Sequence, residues 1–197
     1  MQENIDISRL STVDTARILL GQQLCHETGE SIMSGIIVET EAYLSRYDPA
    51  SHAAKGLTKR NAMMFGPPGR AYVYFIYGNH YCLNVVTGPE GTGEAVLIRA
   101  LEPLEGLDLM YKNRYSSCRK TELTNGPGKL CRAFGIDKSF NGHDLSRKPL
   151  YIKWIEPPEN FGPIIETPRI GISSAQDKLL RFVIRGNKYL SRRENLG

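Results

Sequence analysis

Residues 70–86 read Arg-Ala-Tyr-Val-Tyr-Phe-Ile-Tyr-Gly-Asn-His-Tyr-Cys-Leu-Asn-Val-Val, a stretch rich in aromatic and β-branched side chains. This pattern predicts two β-strands that fold back on each other at Gly78-Asn79. Tyr77 stands beside the turn, where a hairpin tip directs side chains away from the core. It is either a wedge for a groove or, in the more ordinary interpretation, one of several half-buried strand tyrosines.

The composition of the whole chain predicts a single globular domain over residues 1–197, with 41% hydrophobic and 23% charged residues. No apolar run approaches the roughly 20 residues that a membrane helix needs. The first residues lack the basic and apolar regions of a signal peptide, so we expect an intracellular protein, in the cytoplasm or nucleoid if bacterial. The four cysteines show no zinc-type spacing and are expected to be reduced. A net charge of +4 permits a polyanionic partner without demonstrating one.

A second informative stretch is residues 35–43, Gly-Ile-Ile-Val-Glu-Thr-Glu-Ala-Tyr, which has the composition of a strand. A period of two places Glu39, Glu41 and Tyr43 on one face. Two carboxylates on one face fit three interpretations: solvated residues, which is the commonest case, a general acid–base pair, or metal ligands together with His52. The Glu-x-Glu pattern by itself does not choose among them.

The remaining periodicity predicts a mixed arrangement of helices and strands. Helical patterns cover three segments, Ser11–Leu24, about Leu104–Arg114 and 125–135. His26 is then a residue at the end of the first helix. Further strands are expected at Glu94–Leu101, Pro149–Trp154, Arg169–Ser173 and Leu180–Arg185. Leu44–Gly69, rich in Gly and Pro, is predicted to be a long functional loop.

Several basic residues have two interpretations each. Arg99 lies among apolar residues of a predicted strand and should therefore be paired or hydrogen-bonded. Lys129, near the start of the helix at 125–135, suits a phosphate or belongs to a simple helix cap. A basic cluster is either a solvated face or a contact surface for a phosphate backbone, and consists of Lys55, Lys59, Arg60 and Arg70.

Five motifs occur in an order and spacing that resemble one known family. They are Glu39-Thr-Glu-Ala-Tyr43, His52, the Tyr-Val-Tyr-Phe-Ile-Tyr-Gly hairpin, Arg99-Ala-Leu-Glu-Pro-Leu-Glu-Gly106 and Asn125-Gly-Pro-Gly-Lys-Leu-Cys131. Together they resemble the alkyladenine (3-methyladenine or methylpurine) DNA glycosylases, over about Ser11 to Arg185. The resemblance implies an α+β fold: a single mixed domain around a curved antiparallel β-sheet with a protruding β-hairpin, and not a helix-hairpin-helix fold.

The resemblance also implies roles for individual residues. Tyr77 would intercalate into DNA, Glu41 would be the catalytic carboxylate with Arg99 nearby, and Glu39 would support the site. The pocket for the flipped base would consist of Tyr43, His52, Tyr74 and Asn84, with Asn84 as a steric gate against the amino group of guanine. The backbone candidates are Lys55, Lys59, Arg60, Arg70 and Lys129.

The implied enzyme is a monofunctional DNA glycosylase that removes alkylated or deaminated purines, and it works as a monomer on damaged double-stranded DNA. It needs no cofactor or metal and has no membrane partner. Ser51, Asn79 and His80 depart from the animal members of the family, which affects lesion preference and groove contacts. Two other functions stay open: a small-molecule hydrolase that uses Glu39 and Glu41, and a non-catalytic module that binds damaged DNA.

The implied pocket constrains the register of the hairpin. A two-residue turn at Gly78-Asn79 would put Tyr74 and Asn84 on opposite faces. A three-residue loop, Gly78–His80, pairs Tyr74 with Asn84 and places both on the pocket side. We therefore predict the three-residue loop or an equivalent bulge.

Overall fold

An antiparallel sheet organises the computed structural model, which describes residues 5–76, 78–115, 117–158 and 161–192. The strands within these ranges are β1 (Gln23–Thr28), β2 (Ser31–Tyr43), β3 (Ala71–Ile76), β4 (His80–Thr87), β5 (Glu94–Glu105), β6 (Leu150–Lys153), β7 (Ile164–Thr167) and β8 (Arg181–Ile184). The helices are α1 (Thr12–Ile18), α2 (Leu107–Arg114) and α3 (Pro127–Phe134). The sheet is curled into a half-barrel, which confirms the predicted α+β class. No helix among the described residues is long and apolar enough to cross a membrane.

Strand β2 is the centre of the sheet, whose strand order is β3-β4-β5-β2-β1-β6. Strand β5 pairs along one edge of β2. On the other edge, β1 covers the first half of β2, and β8 covers Glu39–Glu41. Register shifts at Ile37/Glu39 and Glu39/Thr40 bend β2 where its neighbour changes. The two glutamates therefore lie between strands on both sides and are fully buried.

The predicted hairpin is present, but its register differs from the prediction. Tyr74 lies opposite Cys82 and Tyr72 lies opposite Asn84, so the predicted pairing of Tyr74 with Asn84 is wrong by two residues. A shift of two residues preserves the side-chain faces, so Tyr74 and Asn84 still share a face. Positions 77–79 separate the paired strand ends. Gly78, with a φ of +71°, adopts the left-handed conformation that tight connections require.

The first helix is shorter than predicted. Ser11 caps α1, because its Oγ accepts a hydrogen bond from the backbone nitrogen of Asp14 (3.0 Å). The prediction that the helix extends to Leu24 is wrong. Gly21 has a φ of +86°, which ends helical geometry, and Leu24 belongs to β1. The prediction that His26 ends a helix is also wrong, since it lies in β1 with Nδ1 2.6 Å from the carbonyl oxygen of Phe134.

The other two helices follow their sequence signals more closely. Helix α3 has Pro127 in its first turn and ends at Gly135, which has a φ of +66°, as predicted. Helix α2 begins at Leu107, three residues later than predicted, because β5 continues to Glu105. Helix α1 packs against β2 and β5, and α3 packs against β4.

The last third of the chain contains both confirmed and wrong predictions. Strands β6 and β8 lie within the predicted segments Pro149–Trp154 and Leu180–Arg185. The predicted strand Arg169–Ser173 is wrong, since Gly171 has a φ of +76° and the segment consists of bends. The sequence does not predict strand β7 (Ile164–Thr167).

Two groups of buried apolar side chains stabilise the structure. The larger one fills the space between the sheet and the helices and includes Leu19, Ile37, Ile98 and Phe134. The smaller one contains Ala53, Met64, Tyr72, Val86 and Ala95, with Tyr43 and Tyr74 packed against it. The cysteines Cys25, Cys82 and Cys131 carry free thiols.

Candidate active site

Arg99 joins the two glutamates of β2. Its Nε donates to Glu39 Oε1 at 3.0 Å and its Nη1 donates to Glu41 Oε2 at 3.2 Å. Arg99 comes from β5, the neighbouring strand, and its side chain is 9% exposed. The predicted shared face of the glutamates and the predicted pairing of Arg99 are therefore both confirmed.

Glu39 is held by a dense set of donors. Arg181 Nε donates to its Oε1 at 2.7 Å, in addition to Arg99. Ser191 donates from its backbone nitrogen to Oε2 (2.6 Å) and from its hydroxyl to Oε1 (2.7 Å). Burial alone would raise the pKa of Glu39, but Arg181 and Arg99 outweigh burial and lower it. Glu39 is thus an ionised carboxylate enclosed by cations.

Glu41 has a different environment. Its Oε1 accepts from the backbone nitrogen of Ile170 at 2.7 Å, and its Oε2 accepts from the hydroxyl of Tyr43 at 2.8 Å. Burial raises the pKa of Glu41 above its ordinary value, and Arg99, Ile170 and Tyr43 offset that effect only in part. Each carboxylate oxygen has about two acceptor positions, so Oε1, which accepts one bond within the described residues, can also accept a water molecule.

A cavity of about 220 Å³ lies beside Glu41. Three of its lining residues, Tyr43, Arg99 and Ile170, are the groups that donate hydrogen bonds to Glu41. Other lining residues come from the hairpin and from the start of α3 and include His80 and Gly128. The buried carboxylate is thus one layer behind the surface of this cavity, and we name the cavity the carboxylate cavity.

A second cavity, of about 110 Å³, shares Tyr43, Tyr74, Ile76 and Gly171 with the first. We name it the aromatic pocket. It brings together all four residues predicted for the base pocket, Tyr43, His52, Tyr74 and Asn84, and its further lining residues are Ala50, Met64, Tyr72 and Ile172.

Tyr72 fixes the polar groups of the aromatic pocket. Its hydroxyl lies 3.0 Å from Nδ1 of His52, and its backbone oxygen accepts a hydrogen bond from Nδ2 of Asn84 at 3.0 Å. The His52 ring also packs edge-on against Tyr74, with centroids 4.5 Å apart. Partial burial and the charge of Arg60 lower the pKa of His52, so its ring is neutral at physiological pH. The tyrosine at position 72 is a pocket residue that sequence reasoning missed.

A second buried ion pair, Arg169 with Asp48, supports the same region. Arg169 Nη1 and Nη2 donate to the two carboxylate oxygens of Asp48 at 2.5 and 2.7 Å. The guanidinium carbon of Arg169 lies 4.7 Å from the centre of the Tyr43 ring. The sequence does not indicate this pair, because Asp48 lies in the predicted loop and Arg169 begins a predicted strand, and neither pattern shows that the charge is buried.

The predicted DNA-backbone residues differ in their exposure and contacts. Lys55 and Lys59 are exposed, and Arg60 is exposed with Nη2 bonded to the carbonyl oxygen of Phe75 at 3.0 Å. Arg70 lies 3.8 Å from Asp144, and Lys129 donates to Asn125 at 2.8 Å. Tyr77, the predicted intercalating residue, lies outside the described residues.

One interpretation of the sequence makes Glu39 and Glu41 metal ligands together with His52. A metal held by His52 with Glu39 and Glu41 requires the three side chains to converge. No group of three or more His, Cys, Asp or Glu side chains in the described ranges is arranged to hold a metal ion. His52 instead packs with tyrosines, and the carboxylates of Glu39 and Glu41 both accept hydrogen bonds from Arg99.

Comparisons with known proteins agree on one family. The family described as methylpurine-DNA glycosylase matches residues 6–188. A protein of Methanoculleus marisnigri is 52% identical over 92% of this chain and 94% of its own length. Relatives from Carboxydothermus hydrogenoformans (50% identical, 90% and 92% covered) and Nitrosospira multiformis (47% identical, 97% and 94% covered) are similar. All three carry the provisional name 3-methyladenine DNA glycosylase.

Proposed function

Since the chain belongs to the methylpurine-DNA glycosylase family and is a hydrolase of N-glycosyl bonds, we propose that it removes damaged purines by a single hydrolytic step. The proposed substrates are 3-methyladenine, hypoxanthine and ethenoadenine in duplex DNA. The enzyme is monofunctional, acts as a monomer inside the cell and leaves an abasic site uncut.

Base flipping makes use of the aromatic pocket. A base inside a duplex cannot reach a buried carboxylate, so it must leave the stack, at a cost of a few kcal/mol. The flipped purine would enter between Tyr43 on one side and His52 with Tyr74 on the other. Stacking on aromatic rings is worth about 1–3 kcal/mol per base, which offsets part of the cost. Tyr77 would fill the gap left in the duplex and offset more of it.

The observation that carries the chemistry is the set of donors around Glu41. Tyr43, Arg99 and Ile170 each bond its carboxylate and each line the carboxylate cavity. Because Tyr43 also lines the aromatic pocket, a base stacked there would bring its sugar into the carboxylate cavity. The burial that raises the pKa of Glu41 makes its carboxylate a stronger proton acceptor, which favours a general base.

In the proposed reaction, a water molecule that enters through the carboxylate cavity and donates a hydrogen bond to Oε1 of Glu41 adds to the anomeric carbon of the sugar. The bond from this carbon to the purine nitrogen breaks, and its electron pair leaves with the base. Glu41 takes a proton from the water, and its negative charge stabilises the positive charge that develops on the sugar. Because water is the nucleophile, no lysine is needed and no covalent intermediate forms.

The test is Glu41→Gln on a duplex that contains hypoxanthine, with alkali to cut abasic sites. The amide preserves the shape of the side chain but can neither accept the proton nor stabilise positive charge. We expect base release to fall by at least about 10²-fold while binding of lesion DNA is retained. Glu27→Gln, in which an exposed ion pair with Lys148 is lost, is the matched control. Release by Glu41→Gln within a few-fold of the wild type would refute the proposed role.

The same assay separates the two other functions. A module that only binds damaged DNA would release no base in the wild type. A metal-assisted hydrolase would lose activity in chelator, whereas the proposed enzyme should not respond.

A further inference from the structure

Residues 169–172 lie outside the sheet, and the last three of them line the cavities; we name this segment the wall. Ile170 lines the carboxylate cavity, Ile172 lines the aromatic pocket, and Gly171 lines both. In the part of the chain that the structure describes, no backbone–backbone hydrogen bond ties these four residues to a strand. Their side-chain contacts must therefore fix their position.

The main contact of this wall is the ion pair of Arg169 with Asp48, whose side chains are both 0% exposed. The two-pronged geometry, with bonds of 2.5 and 2.7 Å, fixes the orientation of the guanidinium as well as its distance. Arg169 Nη1 also donates to the backbone oxygen of Ala42 at 2.9 Å, directly before Tyr43. The wall is thus attached to the end of β2.

Asp48 extends this attachment to the loop that follows β2. Its carboxylate accepts from the backbone nitrogens of Leu44 (3.1 Å) and Ala50 (3.3 Å). Ala50 lines the aromatic pocket and is two residues from His52. One ion pair therefore connects three segments: the end of β2, the loop that follows β2 and contains His52, and the wall at 169–172.

We propose that the Arg169–Asp48 pair is a positioning device that holds the backbone N–H of Ile170 on Glu41. The inference rests on the proposed function, in which Glu41 is the general base. Neither Arg169 nor Asp48 lines either cavity, so both act through the residues that they hold.

The proposal predicts how the pH dependence of base release changes when the Arg169–Asp48 pair is weakened. Charged and titratable groups face Glu41 from several strands and from the wall, namely Arg99, Glu39, Tyr43, Cys82 and Arg169. If the wall shifts enough to break the Ile170 bond without admitting water, the carboxylate loses this donor while its burial and the other groups stay unchanged. A hydrogen bond that stabilised the charged form is then lost, so the pKa of Glu41 rises. In a plot of the rate of base release against pH, the acid limb is the part where the rate rises as Glu41 loses its proton. This limb should move to higher pH.

The experiment measures single-turnover release of hypoxanthine from pH 5 to 9 for the wild type and Arg169→Lys. Lysine keeps the positive charge but lacks the planar fork that binds both oxygens of Asp48. We expect the acid limb to move up by at least about 0.5 pH unit, which means a roughly threefold lower rate on that limb. At the alkaline plateau, both the rate and the affinity for lesion DNA should stay within about threefold of the wild type. Arg17→Lys, which alters the more exposed Arg17–Glu166 pair, is the matched control and should not shift the limb.

A rate profile of Arg169→Lys that is lowered uniformly, without a shift of the limb, would overturn the proposal. If that variant does not fold, as judged by its circular dichroism, Asp48→Glu takes its place. This variant keeps both charges, but its side chain is longer by one methylene group and therefore displaces Arg169. Its acid limb must move to higher pH in the same way. A wild type without activity at any pH would instead contradict the proposed function.

Discussion

At the scale of single residues, Glu39 and Glu41 have opposite electrostatic environments although they are two positions apart. Cations surround Glu39 and lower its pKa, whereas burial dominates at Glu41 and raises its pKa. Two carboxylates whose pKa values are driven apart are typical of sites where one group supports and the other reacts. The contacts therefore favour structural support by Glu39 and the general-base role for Glu41.

This difference gives a prediction for the stability of the Glu39→Gln variant. The amide leaves Arg99 and Arg181 buried without their shared carboxylate. We expect the free energy of unfolding to fall by about 3–5 kcal/mol, the usual result of breaking a buried ion pair. Urea denaturation measures this loss. Glu166→Gln, which breaks an exposed pair with Arg17, should cost at most about 1 kcal/mol. Equal losses in the two variants would contradict the structural role of Glu39.

A second prediction concerns Asn84, the proposed gate against guanine. Its Nδ2 is fixed by the backbone oxygen of Tyr72, and the residue is 3% exposed, so the side chain cannot turn away from the pocket. An amide held in this way would collide with the amino group at C2 of guanine, which hypoxanthine lacks. Asn84→Ser should therefore raise the ratio of guanine to hypoxanthine release, measured on matched duplexes.

The control for this gate is Thr87→Ser, a buried residue of the same strand whose hydroxyl is kept. It should leave the ratio unchanged. If Asn84→Ser lowers both activities and the melting temperature together, Asn84 only supports the hairpin and is not a gate.

Part of the site can be predicted from the sequence because it depends on local rules. Alternation along one strand places Glu39 and Glu41 on one face, and an arginine among apolar residues must find a partner. The Asp48–Arg169 pair could not be predicted, since its members are 121 residues apart. Whether such a charge is buried depends on how distant segments pack, and local sequence carries no signal of that.

At the scale of elements, local sequence predicts a helix or strand well where it also contains residues that mark the ends of that element. Pro127 and Gly135 mark the ends of α3, and the aromatic alternation marks β3 and β4. The apolar periodicity overextends the first helix, because it continues past Gly21, whose backbone conformation ends helical geometry. A Cβ at Gly21 would come within 2.7 Å of Phe161, so close packing also requires glycine there.

The hairpin carries the next prediction. Tyr77 is the residue that follows β3, whose last residue pairs with His80 at the start of β4. Tyr77→Ala removes the proposed wedge, so base flipping should become less favourable by something on the order of 1–3 kcal/mol. Fluorescence of ethenoadenine at the lesion position reports the flipped fraction, which should fall. Tyr115→Ala, which removes an aromatic ring that is 84% exposed outside the hairpin, should not change it. A flipped fraction that is the same in all three proteins would mean that Tyr77 is not the wedge.

At the scale of the whole molecule, the site depends on residues from most of the chain. Glu39 and Glu41 come from its first quarter and Arg99 from its middle. The wall at 169–172, with Arg181 and Ser191, completes the enclosure. This distribution favours one cooperative domain, since no shorter segment contains a finished site.

The contacts of Glu39 also affect when a newly synthesised molecule can first release a base. Arg181 and Ser191 are synthesised 142 and 152 residues after Glu39, a delay on the order of 10 s at usual rates of translation. A ribosome-bound chain that ends at residue 180 should therefore release no base from lesion DNA, whereas the same chain extended through residue 192 and freed from the ribosome should do so. Base release by the shorter nascent chain would show that the enclosure of Glu39 is dispensable. If the shorter chain is inactive, as expected, translation itself delays the onset of glycosidic cleavage until Arg181 and Ser191 enclose Glu39.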